Sequence, residues 1–218
     1  NTLIYNNFLG NTISIPKSLD EYVEIKDFNE MLDFTDTKFD YRVYMQSLEN
    51  PYLEFTKYPL SSLSDESICE ILDHLRKPVK KSKRGSGDYI YYGATGKTGM
   101  INDFLFDEKL VLIGEDGAKW KRGENTAFII EGKSWVNNHA HIVRTKNDKL
   151  IEEYIQLIFA NLDFGFLKTR PNGGKLQKGE MMKIQFPLPD VETQKEIVNE
   201  VSKLKGNEKW KRFEELLK

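Results

Sequence analysis

The apolar positions along the chain follow two spacings, one typical of strands and one typical of helices. Short runs rich in aromatic and β-branched residues suit a pleated, half-buried surface and predict strands. These runs cover Tyr89–Tyr92, Leu110–Gly114, Ala127–Glu131, His139–Val143 and Met182–Phe186. From Leu150 to Leu162 the apolar residues recur at helical spacing and predict a helix.

Helices are also predicted in three other places. Near the start, Ser18 can cap a helix that runs to Phe34, and a short aromatic segment from Tyr41 to Phe55 follows. Ser64-Asp65-Glu66 opens a short helix with a predicted inner face of Ile68, Cys69, Ile71, Leu72 and Leu75. At the end, Asp190 is a good N-cap for two apolar stripes separated by Gly206-Asn207. The first stripe consists of Ile197, Val198, Val201 and Leu204, and the second of Trp210, Phe213, Leu216 and Leu217.

These elements predict an α/β fold of the α+β kind, with three regions. Many short strands and few helices indicate a mixed, irregular sheet, followed by a C-terminal helical arm. The predicted boundaries are 1–58 for an N-terminal linker, 59–189 for a globular domain and 190–218 for the terminal helices. Apolar stripes at the end of a chain either fold back on the domain or pair with a partner helix.

The composition is that of a protein with a packed core in a reducing compartment. Of the 218 residues, 39% are hydrophobic, which is ample for such a core. Cys69 is the single cysteine, so the chain holds no disulfide framework. No apolar run approaches the ~18 residues of a membrane span, and no signal peptide is visible. We therefore expect a cytoplasmic protein without membrane partners; its start at Asn1 rather than methionine is typical of a fragment.

The net charge of −2 hides an asymmetry between the two parts of the chain. Residues 1–75 carry 14 acids against 5 lysines and arginines, whereas residues 76–218 carry 20 acids against 27. Charge runs are usually solvated faces, but basic residues interleaved with Tyr91, Tyr92 and Trp120 fit a nucleic-acid surface better than a membrane one. The sharpest basic cluster consists of Arg76, Lys77, Lys80, Lys81, Lys83 and Arg84, and smaller ones are Lys119–Arg122 and Lys168–Arg170.

The segment from Tyr91 to Gly99 looks like a phosphate-binding loop but has the wrong spacing. A P-loop needs a glycine five residues before the Gly-Lys-Thr, and Tyr91 occupies that place before Gly96-Lys97-Thr98. Gly93 lies only three residues before Gly96. The same residues predict two strands around a glycine-rich turn, with Thr95, Lys97 and Thr98 at its tip.

Two further patterns suggest metal chemistry. Asp116, followed by Glu131-Gly132-Lys133, has the acid and Glu-x-Lys layout of metal-dependent nucleases, in which two carboxylates hold Mg²⁺ and the lysine assists a water. His139 and His141 would point to the same face of a strand, but no full set of zinc ligands accompanies them. We interpret these histidines as core or hydrogen-bonding residues and keep the nuclease as an alternative.

Two other functional classes have less support in the sequence. The chain has no Asn/Asp-Pro-Pro-Tyr/Phe run to hold a flipped adenine and no glycine-rich strand-to-helix loop suited to S-adenosylmethionine, so a methyltransferase within it is not predicted. A non-DNA interaction module built on the terminal helices is the remaining alternative. It would bind a partner regardless of DNA and tolerate salt.

A succession of motifs resembles one known family over about residues 59 to 205. Its members are Tyr91–Gly96, Ile113–Ala118, Trp135–His141, Lys175-Leu176, Lys178–Glu180, Ile184–Pro189 and Gln194–Val198. Together they are similar to the target recognition domain of type I restriction-modification specificity subunits. Met31–Phe34 and Lys38–Asp40 resemble the segment that joins an adenine methyltransferase to a fused specificity domain.

The resemblance implies a non-catalytic domain that reads one half of a split site in double-stranded DNA. Its expected partners are an adenine methyltransferase domain or subunit, a restriction subunit, and a second copy held through the C-terminal helices. S-adenosylmethionine, Mg²⁺ and ATP would belong to those partners, with no cofactor or metal in this chain. The Gly206-Asn207 break departs from the long unbroken spacer helix of that family.

The predicted DNA-binding residues fall into three groups. Lys80, Lys81, Lys83 and Arg84 are expected to contact phosphates, which position a domain without specifying sequence. The glycine-rich loop of the resemblance adds Tyr92, Gly93, Thr95, Gly96, Lys97 and Thr98. Lys121, Arg122, Arg170 and Asn172 are candidates for groove contacts, because arginine suits guanine and asparagine suits adenine edges. Lys175 completes the set.

Overall fold

The structure is a computed structural model that describes residues 50–146, 148–165, 167 and 174–218, together with the backbone of two short strands before them. The chain divides into two compact units, Asn1–Ser47 and Leu48–Lys218. In the first unit, β1 (Leu32–Asp33) pairs antiparallel with β2 (Lys38–Phe39). The predicted helix from Ser18 lies outside the described residues except at its end, where Leu32–Asp33 form a strand instead.

The second unit contains ten strands and five α-helices among its described residues. The strands are β3 (Leu60–Ser62), β4 (Cys69–Ile71), β5 (Tyr89–Gly93), β6 (Gly96–Ile101), β7 (Phe106–Asp107), β8 (Leu110–Gly114), β9 (Ala127–Ile130), β10 (Lys133–Val136), β11 (Ala140–Thr145) and β12 (Gln185–Pro187). The helices are α1 (Tyr52–Phe55), α2 (Glu152–Asn161), α3 (Lys178–Lys183), α4 (Val191–Ser202) and α5 (Gly206–Leu217). The predicted α+β class is confirmed.

The strands form two four-stranded sheets and a small pair. The central sheet has the order β4-β11-β8-β9 and is antiparallel throughout. The outer sheet has the order β6-β5-β10-β7 and contains one parallel pair, β5 with β10, in which Tyr91 lies opposite Trp135. The remaining pair joins β12 to β3.

The central sheet is covered on both faces, which explains the continuous apolar run of β8. Val111 and Ile113 face the main core with helix α2, whereas Leu110 and Leu112 face a second core with Val136 of the outer sheet. A strand buried on both faces has no polar alternation, so it reads as an uninterrupted hydrophobic segment. The layers are therefore outer sheet, central sheet and helices.

Two predicted elements are wrong, one at β4 and one just before β12. Cys69–Ile71 form a strand rather than part of a helix, since β4 pairs with β11, and the flanking residues Ile68 and Leu72 enter different cores. The helical interpretation failed because short apolar runs fit both spacings. Met182 lies in helix α3, which a capping box between Gln177 and Glu180 begins, so the strand there starts only at Gln185.

The C-terminal helices fold back on the core of the same unit. Asp190 caps α4 by accepting from the Thr193 N–H at 2.9 Å, as predicted. Phe213 of α5 is fully buried and makes an edge contact with Tyr154, at 6.3 Å between ring centroids. Further apolar residues of both stripes are buried with it: Ile197, Val201 and Leu217. These side chains belong to the domain core and are not free for a partner.

Candidate nucleic-acid interface

Three of the sequence motifs meet at one end of the two sheets through close backbone contacts. The Asn137 N–H donates to the Tyr92 carbonyl at 3.1 Å, and a Cβ on Gly93 would lie 3.2 Å from the Asn137 amide. A Cβ on Gly114 would lie 2.3 Å from that of Ala118, a distance that side chains do not tolerate. Gly93 and Gly114 therefore serve close packing, and Gly93 is itself buried.

The hairpin of β5 and β6 carries the exposed part of the glycine-rich loop. Its turn is Ala94-Thr95, and Gly96 has a φ of +111°, a conformation that favours glycine. Thr95, Lys97 and Thr98 are exposed. The Gly96-Lys97-Thr98 segment is a β-strand and does not begin a helix, which rules out the P-loop geometry.

Two of the predicted loop residues have structural contacts. The ring of Tyr92 packs towards the central sheet, 6.2 Å from the ring of Phe128, and burial raises the pKa of its hydroxyl. Thr98 is an extra residue in β6, because the register passes from Tyr91 opposite Gly99 to Tyr92 opposite Lys97. The local bulge leaves the Thr98 side chain at the exposed edge of the sheet.

The basic segment 76–84 lies against the outer sheet and is held there by hydrogen bonds between its backbone and side chains of the sheet. The indole of Trp135 donates to the Lys77 carbonyl at 2.7 Å, and the Val79 N–H donates to the Tyr91 hydroxyl at 2.9 Å. Tyr91 is buried although it belongs to neither apolar core, since this segment covers its ring. Three predicted phosphate contacts, Lys80, Lys81 and Lys83, point into solvent around a 3₁₀ turn at Lys81–Lys83.

Arg84 ends this segment in a fixed position. Its guanidinium lies over the Tyr91 ring, 3.9 Å from the centroid, and its Nε donates to the Val79 carbonyl at 2.9 Å. The contact places Arg84 next to β6, where a Cβ on Gly99 would lie 3.6 Å from Nη1. The structure thus brings Arg84 and the hairpin to the same edge of the outer sheet.

A partly buried charge network anchors the start of the segment to the central sheet. The His141 Nδ1 lies 2.6 Å from Asp73 and its Nε2 2.8 Å from the Leu176 carbonyl. Both partners are hydrogen-bond acceptors, so both ring nitrogens are placed to donate. Burial opposes ionisation of Asp73, but the hydrogen bond and charge of His141 outweigh it and lower the pKa of the carboxyl. Arg76 joins Asp73 to Glu115.

The same network engages Lys175, a predicted DNA contact. Its ammonium lies 2.9 Å from Glu115 and 3.7 Å from Asp116. Burial disfavours the Glu115 carboxylate, yet hydrogen bonds from Lys175 and Arg76 lower its pKa. His139 pairs with Asp116. The histidines are thus hydrogen-bonding residues, and within the described ranges the structure forms no cluster of metal ligands.

The register of the central sheet separates the acids of the nuclease alternative. In the antiparallel pair of β8 and β9, Ile113 lies opposite Ala127 and Leu110 opposite Ile130. Asp116 follows the first end of this ladder and Glu131 the other, so three residue steps, about 10 Å, lie between them at the least. Asp116 is also paired with His139 and Lys175, so this arrangement does not support a shared Mg²⁺ site for the two acids.

The other predicted groove contacts lie apart from this edge or outside the described residues. Arg122 donates to Asn161 at 2.8 Å and to Glu214 at 2.6 Å, which ties its loop to the helical layer. These bonds argue for a structural role, and its DNA contact stays a prediction, as does that of exposed Lys121. Arg170 and Asn172 lie outside the described residues.

Sequence reasoning missed the residues that position this surface. The sequence predicts a strand at Tyr91 but none at Trp135, and the parallel pairing of the two joins residues more than forty positions apart. The bond from His141 to Asp73 spans 68 positions and has no local signal. The one available hint was the lack of acids from 76 to 84, which leaves six cations in nine residues.

The comparisons with known proteins point to one family. The family model described as type I restriction modification DNA specificity domain matches residues 62–217. A Haemophilus influenzae protein named as a type I restriction enzyme specificity subunit is 32% identical over 133 residues, 61% of this chain and 34% of that protein. The chain thus spans about a third of that relative.

One solved structure supports the fold, and a second was less similar. The specificity subunit of a type I restriction-modification system from M. genitalium superposes with a TM-score of 0.54 at 15% identity, over 80% of this chain and 45% of that one. The HsdS subunit from Thermoanaerobacter tengcongensis gives a TM-score of 0.46 at 15% identity, over 80% and 44%. The first of these supports a common fold.

Proposed function

The chain belongs to the type I restriction-modification DNA specificity domain family, and on that premise we propose that it reads a short half-site in double-stranded DNA. Family membership makes it a recognition domain rather than an enzyme. Within a larger protein or complex it would direct an adenine methyltransferase, and a restriction subunit where one is present, to that site. S-adenosylmethionine, Mg²⁺ and ATP would be bound by those partners.

The observation that carries the proposal is the basic segment 76–84 on the outer sheet. Several other cations of the described chain are neutralised, among them Arg144 by Glu108 and Glu70, and Lys109 by Glu152 and Glu153. Lys80, Lys81 and Lys83 have no carboxylate partner among the described residues. Like charges placed close together repel each other and destabilise a folded chain. An anionic ligand that neutralises these three lysines would explain why they lie together.

The rigid attachment of the segment fits a DNA-binding role. The bonds from Trp135 and to Tyr91 hold the backbone on the sheet, while the lysine side chains project from it. Phosphate contacts from such a platform set the register of a domain on the duplex. The hairpin residues Thr95, Lys97 and Thr98 lie along the same edge and would enter a groove.

The terminal helices admit a homodimer or a docking role only through their polar face. Half of the apolar stripe residues are buried in the domain and the others are partly buried, and the open side of the helix pair is lined mostly by charged residues, with Leu204 among them. Arg212 pairs there with Glu200 at 2.6 Å and with Glu215 at 3.3 Å. A partner on this face would therefore bind through salt-sensitive contacts.

No helix within the described residues could cross a bilayer, and we propose a cytoplasmic location.

The test is a selection from a randomised duplex library, followed by titration of the selected duplex. The triple variant K80A/K81A/K83A removes three exposed cations of the segment, and K183A/K203A/K205A removes three exposed cations of the helical layer. Each lost phosphate contact reduces the slope of log affinity against log salt by about 0.9. Between 50 and 200 mM salt, the fold-loss of affinity should therefore be about 40 times smaller for K80A/K81A/K83A than for the wild type.

The outcomes separate the functional classes. Enrichment of a short motif, together with a flattened salt slope in the first variant alone, supports the proposal. Equal effects of both triple variants would show that the segment has no special part in binding. A wild-type chain that binds no duplex at either salt would refute the DNA-reading function and favour a protein-interaction module.

A further inference from the structure

Arg84 differs from every other described arginine in what its guanidinium contacts. Each of the others reaches at least one carboxylate: Arg76 to Asp73 and Glu115, Arg122 to Glu214, Arg144 to Glu70 and Glu108, and Arg212 to Glu200 and Glu215. Arg84 has no acid partner among the described residues. Its Nε donates to the Val79 carbonyl, and the two Nη groups at the end of the fork have no acceptor in the part of the chain that the structure describes.

The fork is nevertheless held in one orientation. The Tyr91 ring supports its plane at 3.9 Å, and that ring is itself fixed by the Val79 N–H. On the other side, a Cβ on Gly87 would lie 2.3 Å from the Ile101 carbonyl oxygen, so the chain after Arg84 is pressed onto β6. An arginine side chain loses conformational entropy when a ligand orders it, and the contacts with Tyr91 and Val79 already restrict Arg84 before any ligand binds.

We propose that Arg84 is a specificity-determining residue that reads the N7 and O6 edge of a guanine, rather than a phosphate contact like its neighbours. This inference rests on the proposed DNA-reading function. A guanine edge offers two parallel acceptors that match the free end of a guanidinium fork. A phosphate can be contacted from many directions and needs no fixed donor, and Lys80, Lys81 and Lys83 already supply mobile cations beside it.

The position of Arg84 fits this role. It is half-exposed at the edge of the outer sheet, beside Gly99, where the missing side chain leaves space next to Nη1. The exposed hairpin residues lie along the same strand. A base pair presented to this edge would meet the fork end-on, while the segment lysines would face the backbone.

The experiment compares R84K with R212K in the library selection. Lysine keeps the charge and removes the planar fork, and R212K makes the same change at an arginine paired on α5. We expect R84K to lose the preference for guanine at one position and to weaken the selected site by about 5- to 150-fold. Binding to unrelated duplex and its salt slope should stay as in the wild type, and R212K should select the wild-type motif.

A second measurement needs no change in the protein. Replacing the guanine at that position with 7-deazaguanine removes the N7 acceptor, so the wild type should bind the modified duplex more weakly. R84K should bind the guanine and 7-deazaguanine duplexes with equal affinity. Unchanged selection by R84K, or an equal loss on all sequences, would overturn the guanine assignment while leaving the DNA-reading function intact. No motif with the wild type would refute the DNA-reading function, and the assignment with it.

Discussion

The replacement D73N tests whether the charge network under the basic segment is an essential part of the fold. The Asp73 and His141 side chains are 7% and 1% exposed, so solvent cannot compensate the charge that remains after the replacement. Removing one partner of a buried ion pair costs about 3–5 kcal/mol. In a domain of this size that corresponds to a fall in Tm of roughly 6–20 °C.

Urea unfolding followed by tryptophan fluorescence measures this cost directly. All three tryptophans, Trp120, Trp135 and Trp210, belong to the unit Leu48–Lys218, so the signal reports the unit that holds the network. The control is E215Q, which removes an exposed partner of Arg212 and should change the free energy of unfolding by less than about 0.5 kcal/mol.

The pH dependence gives an independent check with a defined sign. The pKa of Asp73 is lowered in the folded state, so its stabilisation is complete above the unfolded pKa of about 4 and is lost as the pH falls through the folded value. The Asp73 contribution to the difference between wild type and D73N should therefore be at its full size above about pH 5 and shrink below pH 4. A cost under about 1 kcal/mol at pH 7, or a difference that grows as the pH falls below 4, would refute this account of the network.

Three further expectations follow from packing. G114A should cost about 1–3 kcal/mol of unfolding free energy because its Cβ would lie 2.3 Å from that of Ala118, whereas G179A meets no atom within 4 Å and serves as its control; equal stabilities would contradict the close approach. F213A should cost about 3–5 kcal/mol in the same urea assay, and a loss below 1 kcal/mol would show that α5 is a loosely attached arm. Burial raises the pKa of the Cys69 thiol to about 12, so iodoacetamide should label it at a measurable rate only in urea, and rapid labelling of the native chain would contradict its burial.

Local patterns were sufficient for the elements whose signal lies within a few residues. The apolar run of β8, the helical spacing of α2 and the Asp190 cap all express local geometry, and each was predicted with its type and nearly its bounds. The motif order was sufficient for the family as well. The segment 68–75 failed because five apolar residues in eight satisfy strand and helix spacing alike, and only the pairing of β4 with β11 decides between them.

The candidate interface depended on both levels. The sequence by itself determined that six cations lie between 76 and 84 with no acid among them, and that a glycine hairpin follows. Only the tertiary structure decided which cations are available to a ligand, because ion pairs form between residues far apart in the chain. Arg122 pairs with Glu214 and Lys175 with Glu115, whereas the Arg84 guanidinium lies over the Tyr91 ring without a carboxylate partner among the described residues. The sequence determines which side chains carry a charge, but the fold determines which opposite charges lie close enough to pair with them.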